Sequence, residues 1–299
     1  MRSFLFVPAD SPKKLANALA SGADAVILDL EDSIAPEAKE TARTSAKSFL
    51  EEAAAKPARP RLLVRVNGLA TGLTDADLDT IVAARPDAVM LPKAEGGASI
   101  AHLDAKLAVR EARAGVPDGS IGIIAIATET AASLFRAGTY GGSSQRLLGL
   151  TWGAEDLSAD LGASANRGED GCFLDPYRLA RSLCLAGAAA AQVAAVDTVY
   201  VDFRNEAGLR RECEEAARDG FSGKMAIHPR QVATINAAFT PSPAAIAHAR
   251  AVVAAFASAP GAGVVGIDGV MYDRPHLARA QRLLARAGQD HSAAGSGSS

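Results

Sequence analysis

The sequence predicts an α/β fold, namely a (β/α)8 TIM barrel with a C-terminal helical extension. Short apolar runs alternate with amphipathic helical patterns along residues 1–229, and such runs between helices are typical of buried parallel strands. Eight βα units over about 230 residues match the size of this barrel. Several runs also end in a charged residue, and catalytic groups of a barrel lie at the carboxyl ends of its strands. A doubly wound open sheet is the alternative.

The elements follow in order along the chain. We expect the strands at residues 3–8, 25–30, 61–67, 88–93, 121–128, 146–152, 197–203 and 223–228. We expect helices between them at 11–22, 36–56, 74–85, 98–115, 130–138, 176–195 and 206–220. Ser11 followed by Pro12 predicts the start of the first helix, because serine caps helices and proline suits the first helical position.

The pattern changes after Pro229, so we place the end of the catalytic barrel domain (1–229) there. Residues 230–289 predict a C-terminal helical extension. Within it, Val264–Pro275 contains glycines and acids, which is typical of a loop that closes on a site as a lid. Residues 290–299 are small and polar, and we expect them to form a disordered tail.

The composition argues against several functions. The net charge of -3 without a basic cluster argues against nucleic-acid binding. No apolar run approaches the ~20 residues that span a bilayer, so we expect no membrane association. The three cysteines are widely spaced and the chain begins without a secretory apolar segment, which indicates a reducing, cytoplasmic location. Nucleotide-binding glycine motifs are absent from the sequence.

Two carboxylates are the best candidate metal ligands. Glu129 and Asp156 follow the fifth and sixth strands, which are neighbours in a barrel. Oxygen ligands with open positions suit Mg²⁺, with Mn²⁺ as a possible substitute. Each acid alone could simply cap a helix, but Glu31 and Asp32 follow the second strand nearby and favour the metal site.

Two cations are predicted at the same end of the barrel. Arg65 lies in an otherwise apolar strand, where a guanidinium is costly unless it is paired. It could bind a substrate carboxylate or stabilise an enolate oxygen, or it could form a buried salt bridge with Asp29 or Glu31. Lys93 follows the fourth strand and either contacts substrate or balances charge near Glu31 and Glu129.

Two further acids, Asp268 and Asp273, lie in the C-terminal extension. An acid on a lid is a candidate proton donor once closure excludes water. The simpler alternative is a pair of solvated acids in a turn.

The motifs together resemble the citrate lyase beta-subunit-like family of the HpcH/HpaI aldolase superfamily, which includes malyl-CoA and citramalyl-CoA lyases. The motifs are FLFVPADSPKKL, ILDLEDS, VRVN, VMLPKAE, ATETA, LTWGAEDL, KMAIHPRQV and GVMYDRPHLARA. The resemblance extends over about residues 2–287.

The resemblance implies a TIM barrel whose C-terminal segment packs on a neighbouring subunit, usually in trimers, with a hexamer as the other possibility. It implies Mg²⁺ on Glu129 and Asp156, and Arg65 on the substrate carbonyl or carboxylate. It assigns the catalytic acid to Asp273, donated across the subunit interface, with Asp268 as the competing acid. It implies contacts from Phe6, Pro8 and Lys14 to coenzyme A.

The resulting hypothesis is a Mg²⁺-dependent lyase that reversibly cleaves a 3-hydroxyacyl-CoA into acetyl-CoA and glyoxylate or pyruvate. Catalytic roles fall to Arg65, Asp273, Glu31 and Asp32. The alternatives are a malyl-CoA thioesterase, a carrier-dependent citrate lyase beta subunit and a CoA-free metal-dependent aldolase. A non-catalytic assembly protein conflicts with so many charges at strand ends, since buried charges are costly without a partner or a function.

Overall fold

The computed structural model describes residues 1–56 and 58–294, and side chains up to residue 288. Eight parallel strands form a closed barrel in sequence order, and β1 pairs with β8 to close it. The predicted TIM barrel is therefore confirmed. The strands are β1 (Ser3–Pro8), β2 (Ala25–Asp29), β3 (Arg61–Arg65), β4 (Ala88–Leu91), β5 (Gly122–Ile126), β6 (Leu147–Thr151), β7 (Ala194–Asp197) and β8 (Gly223–Ala226).

Helices follow the strands around the barrel. They are α1 (Pro12–Leu19), α2 (Lys39–Ala54), α3 (Thr74–Ile81), α4 (Gly97–Ala114), α5 (Ala131–Leu134), α6 (Ala154–Asp160), α7 (Asp175–Ala191), α8 (Glu206–Asp219) and α9 (Arg230–Phe239). Short 3₁₀ turns lie at Pro36–Ala38, Leu69–Thr71, Val82–Ala84 and Ala137–Thr139. The short helix α6, directly after β6, was not predicted.

The barrel interior is filled by apolar side chains that alternate along the strands. Phe4, Ile27, Leu63, Met90 and Met225 belong to this buried cluster. Successive strand residues point to opposite faces, so residues two positions further along β2 and β3 point the same way as these core residues. Asp29 and Arg65 occupy those positions, at the carboxyl ends of their strands.

The seventh strand lies earlier than its predicted range of 197–203. It spans Ala194–Asp197, and the chain after Asp197 leaves the sheet. The segment Val199–Val201 carries β-branched and aromatic residues that resemble a strand, whereas the alanines of β7 resemble the end of a helix. Burial against the barrel overrode these local propensities.

The described residues up to 236 form one compact unit, and the described residues from 237 onward form a second one. The boundary predicted from the sequence lies after Pro229. The difference arises because the first residues of α9 belong to the barrel. Val232 and Ile235 are buried, and the Gln231 side chain accepts hydrogen bonds from the backbone N–H groups of Ile227 and His228.

The second unit contains α10 (Pro243–Ala257), strands β9 (Val264–Ile267) and β10 (Val270–Asp273), and α11 (Arg274–Ala294). The predicted lid loop 264–275 is instead an antiparallel hairpin. Asp268 and Gly269 both have positive φ (50° and 78°), as a type I′ turn requires, and an Asp-Gly pair is typical of this turn. Helix α11 includes residues 290–294 of the predicted tail, while residues 295–299 lie outside the described residues.

Among the described residues, no helix is both long and apolar enough to span a membrane.

Candidate active site

A cavity of about 350 Å³ opens at the carboxyl ends of the barrel strands. Most of the residues predicted for the site lie in its wall: Phe6, Pro8, Asp32, Arg65, Glu129 and Asp156. Glu31 and Lys93 contact these residues through ion pairs. The barrel thus brings residues from the ends of six strands, β1 to β6, into one charged site.

Arg65 is fixed by a pair of hydrogen bonds. Its Nε and Nη2 donate to Asp29 Oδ1 and Oδ2, each at 2.7 Å. The two residues are register partners in β2 and β3, which explains the bidentate geometry. Arg65 Nη1 also lies 2.9 Å from Glu31 Oε2, and the guanidinium carbon lies 4.9 Å from the Phe6 ring centroid. The predicted salt bridge is therefore present, and Arg65 still lines the cavity.

The charges of this pair stabilise each other. Burial opposes ionisation of Asp29, but the hydrogen bonds from Arg65 outweigh it and lower the pKa of Asp29. Burial likewise disfavours the charged guanidinium, but Asp29 and Glu31 raise the pKa of Arg65. Both groups stay charged at neutral pH, so Arg65 is a permanent cation at the cavity wall.

Lys93 forms ion pairs with Glu31, which follows β2, and with Asp156, which follows β6. Its Nζ lies 2.5 Å from Glu31 Oε1 and 3.2 Å from Asp156 Oδ1. Burial would lower the pKa of Lys93, but the hydrogen bond and charge of Glu31 raise it. The ammonium therefore balances charge near Glu31, one of the two roles considered for it.

Glu129 is a deeply buried acid of the cavity wall, with 3% of its surface exposed. Its Oε2 accepts a hydrogen bond of 2.5 Å from the backbone N–H of Lys93. A Cβ atom at Gly153 would lie only 2.8 Å from Glu129 Cγ, so a glycine is needed there. Burial and then the charge of Asp156 raise the pKa of Glu129 to about 8.

Glu129 and Asp156 both line the cavity, and Lys93 contacts both, Glu129 through its backbone N–H and Asp156 through its ammonium. This arrangement of two carboxylates suits a divalent cation. Asp156 lies in the first turn of α6, the helix that follows β6. Carboxylate oxygens are the ligands that Mg²⁺ prefers, and an open cavity beside them leaves coordination positions for water or substrate. These two residues fit a site of this kind.

Several cavity residues were not predicted from the sequence. Thr151, Trp152, Thr198, Val199, Met225 and Ile227 also line the cavity. The Thr151 hydroxyl is buried and has no hydrogen-bond partner among the described residues. The Trp152 indole N–H donates to Asp197, which also accepts a hydrogen bond from Lys224. The sequence signal for Thr151 and Trp152 is their place at the end of the predicted strand 146–152, within the motif LTWGAEDL.

Three predicted residues are not brought into this charged site. Lys14 is exposed on α1. Asp268 and Asp273 belong to the second unit. There Asp268 lies in the hairpin turn, and Asp273 ends β10. Asp273 Oδ1 lies 2.5 Å from His276 Nδ1, and this hydrogen bond lowers the pKa of Asp273, whose side chain is 47% exposed.

A TIM barrel with a carboxylate pair and a fixed arginine at its carboxyl rim is the architecture of a metal-assisted barrel enzyme. Comparison with known proteins agrees at the level of class, because a family of C–C bond lyases of the TIM-barrel fold matches residues 173–289. The HpcH/HpaI aldolase/citrate lyase family matches residues 2–229. The chain belongs to this family.

Individual relatives extend over nearly the whole chain. Citrate lyase subunit beta of Leuconostoc mesenteroides is 34% identical over 97% of this chain and 94% of that protein. A (3S)-malyl-CoA thioesterase of Cereibacter sphaeroides is 37% identical over 96% of this chain and 94% of that protein. The CitE protein of Mycobacterium tuberculosis, solved with magnesium, acetoacetate and coenzyme A, has a TM-score of 0.76 and 35% identity. That match covers 96% of this chain and 98% of CitE.

Proposed function

We propose that this protein is a Mg²⁺-dependent lyase that reversibly cleaves a 3-hydroxyacyl-CoA of the malyl-CoA or citramalyl-CoA type. The products are acetyl-CoA and glyoxylate or pyruvate. The carboxylate pair Glu129 and Asp156 beside the fixed cation Arg65 carries the proposal. The relative CitE, which was solved with magnesium, acetoacetate and coenzyme A, supports both the metal and the coenzyme A part of the substrate.

Glu129 and Asp156 would hold the metal, which lowers the pKa of the substrate hydroxyl and polarises the substrate oxygens when bound. Asp32 is the best placed base for the hydroxyl proton. Its side chain is 55% exposed and lines the cavity, whereas Glu31 is buried against Arg65 and Lys93. Removal of this proton allows the bond between C2 and C3 of the acyl chain to break.

Arg65 would stabilise the charge that develops on the thioester oxygen. When the bond breaks, its electron pair passes to the acetyl fragment as an enolate, and C3 becomes the carbonyl carbon of the oxo acid. Asp29 accepts two of the five guanidinium N–H groups, so others remain for the substrate oxygen. Because Arg65 is already oriented, this stabilisation needs little rearrangement.

Asp273 would exchange the remaining proton with the enolate carbon. In cleavage its carboxylic acid protonates this carbon to give acetyl-CoA. In condensation its carboxylate removes a proton from the methyl group of acetyl-CoA. The pKa of Asp273 is lowered by His276, which favours the carboxylate form used in condensation. We propose that a neighbouring subunit donates this residue in a homotrimer, or in a hexamer built from such trimers.

Phe6 and Pro8 are proposed to contact the coenzyme A thioester, since both line the cavity near Arg65. Lys14 is a candidate for a phosphate contact outside the cavity, because it is exposed on α1, which directly follows β1. The proposed location is the cytoplasm.

A second candidate function is thioester hydrolysis. The 37% identity between this chain and the Cereibacter sphaeroides (3S)-malyl-CoA thioesterase supports it. Hydrolysis would release free coenzyme A and a hydroxy acid. A third candidate is a citrate lyase beta subunit whose substrate is a thioester of a carrier protein. The similarity to citrate lyase subunit beta of Leuconostoc mesenteroides supports this candidate.

The test is incubation of the purified protein with acetyl-CoA, Mg²⁺ and either glyoxylate or pyruvate, with detection of products by mass spectrometry. A malyl-CoA or citramalyl-CoA product supports the lyase and identifies the oxo acid. Accumulation of free coenzyme A with malate or citramalate indicates hydrolysis. Asp156→Asn should abolish either reaction, whereas Glu51→Gln, an exposed acid on α2, should not.

A further inference from the structure

Lys93 adopts a left-handed backbone conformation, with φ of 51°. Three other non-glycine residues among those described share it: Arg85, Gln192 and Asp268. Arg85 and Gln192 end helical segments and Asp268 lies in the hairpin turn, where this conformation is ordinary. Lys93 belongs to none of these settings. Residues with a Cβ atom disfavour this conformation, and strained residues that persist often cluster at functional sites.

The conformation at Lys93 allows three contacts to form together. Its N–H donates to Glu129 Oε2 at 2.5 Å, and its ammonium lies 2.5 Å from Glu31 Oε1. The next N–H, of Ala94, donates to the Ile126 carbonyl oxygen on β5 at 3.3 Å. The angle φ sets where the N–H points relative to the side chain and the following peptide. Because the hydrogen bond of Ala94 to β5 fixes the following peptide, rotation of the Lys93 φ angle would turn the Lys93 N–H away from Glu129.

We propose that Lys93 is a positioning residue whose left-handed backbone orients Glu129 for metal binding, a role separate from its ammonium charge. The inference rests on the proposed metal site. Gly153 supports it from the other side of Glu129, where a Cβ atom would lie 2.8 Å from Cγ. Glu129 is thus held between a backbone donor and a glycine surface.

Four variants of Lys93 separate the backbone from the charge. All of Lys93→Gly, Lys93→Asn, Lys93→Ala and Lys93→Val remove the ammonium. Glycine and asparagine accept the left-handed conformation, alanine accepts it less well, and the β-branched valine resists it. The measurement is the dissociation constant for Mn²⁺, determined by electron paramagnetic resonance on the purified full-length protein.

We expect Lys93→Gly and Lys93→Asn to bind Mn²⁺ alike, and Lys93→Val to bind about tenfold more weakly than either. If Lys93→Val fails to fold, Lys93→Ala should bind about threefold more weakly than Lys93→Gly for the same reason. The matched control is Gln192→Val, which imposes the same strain at the end of α7 and should leave the Mn²⁺ affinity unchanged.

Equal Mn²⁺ affinities for the glycine, asparagine and valine variants would overturn the inference and leave only a charge role for Lys93. Weakened binding in Gln192→Val would also overturn it, because the loss would then reflect general strain. If the wild-type protein itself fails to bind Mn²⁺, the proposed metal site is contradicted. The comparison among the Lys93 variants tests only the role of the Lys93 backbone, so the two failures are distinguishable.

Discussion

Replacement of Glu129 by glutamine should stabilise the protein in the absence of divalent metal. Glu129 is 3% exposed, and burial and then the charge of Asp156 raise its pKa to about 8, from 4.5 for an ordinary glutamate. The folded state therefore holds a proton that the unfolded chain releases. Glutamine is similar in shape to the protonated acid, and its side-chain oxygen can still accept the Lys93 N–H.

The magnitude follows from linkage between protonation and folding. Because the folded pKa is raised, the stability contributed by Glu129 is complete below pH 4.5 and is lost as pH rises to about 8. Each pH unit in this window removes about 1.4 kcal/mol, so wild type should lose about 3 kcal/mol between pH 5 and pH 7 from this group alone. At about 2 °C per kcal/mol for a chain of this size, Glu129→Gln should melt about 5 °C higher at pH 7.

The assay is thermal unfolding followed by circular dichroism at pH 5 and pH 7 in buffer with EDTA. The two proteins should differ little at pH 5 and clearly at pH 7. Addition of Mg²⁺ should then raise the Tm of wild type only, because ligands that bind the folded state stabilise it. A Glu129→Gln protein less stable than wild type at pH 7 in EDTA would refute the reasoning. Glu51→Gln, on the exposed surface of α2, is the control.

Two more predictions concern the metal ligand and the proton donor. Gly153→Ala should weaken Mn²⁺ binding at least about tenfold, because the new Cβ displaces Glu129. The backbone of Gly153 has φ of −125° and ψ of 118°, which alanine adopts readily, so the substitution adds no backbone strain. Gly138→Ala, with no atom of the described residues within 4 Å, should bind Mn²⁺ normally. Asp273→Asn should lower kcat at least about 100-fold, whereas Asp268→Asn, in the hairpin turn, should keep a kcat near that of wild type. A large loss of kcat in Asp268→Asn but not in Asp273→Asn would assign the catalytic acid to Asp268.

The fold was largely predictable because the barrel strands are marked by apolar runs that end in charges. The error at β7 arose where alanines carry the strand and the more strand-like Val199–Val201 segment does not. The β9–β10 hairpin was missed although its sequence contains an Asp-Gly pair between apolar residues, a recognised turn signal. The glycines and acids of the segment were interpreted as a lid loop instead.

The grouping of site residues was also predictable, because the ends of parallel strands meet at one rim. Asp29 and Arg65 pair because they are register partners, and a salt bridge from Arg65 to Asp29 or Glu31 was one of the two roles expected for this arginine. The backbone of Lys93 and the need for glycine at position 153 were not predictable. Both depend on backbone angles and on atoms brought together only by the closed barrel.

The most direct test of the central claim is cleavage of (3S)-malyl-CoA or citramalyl-CoA by the purified protein with Mg²⁺, followed by mass spectrometry of the products. The account predicts acetyl-CoA together with glyoxylate or pyruvate, and loss of both products in Asp156→Asn. Free coenzyme A with malate or citramalate, and no acetyl-CoA, would contradict carbon–carbon cleavage at this site.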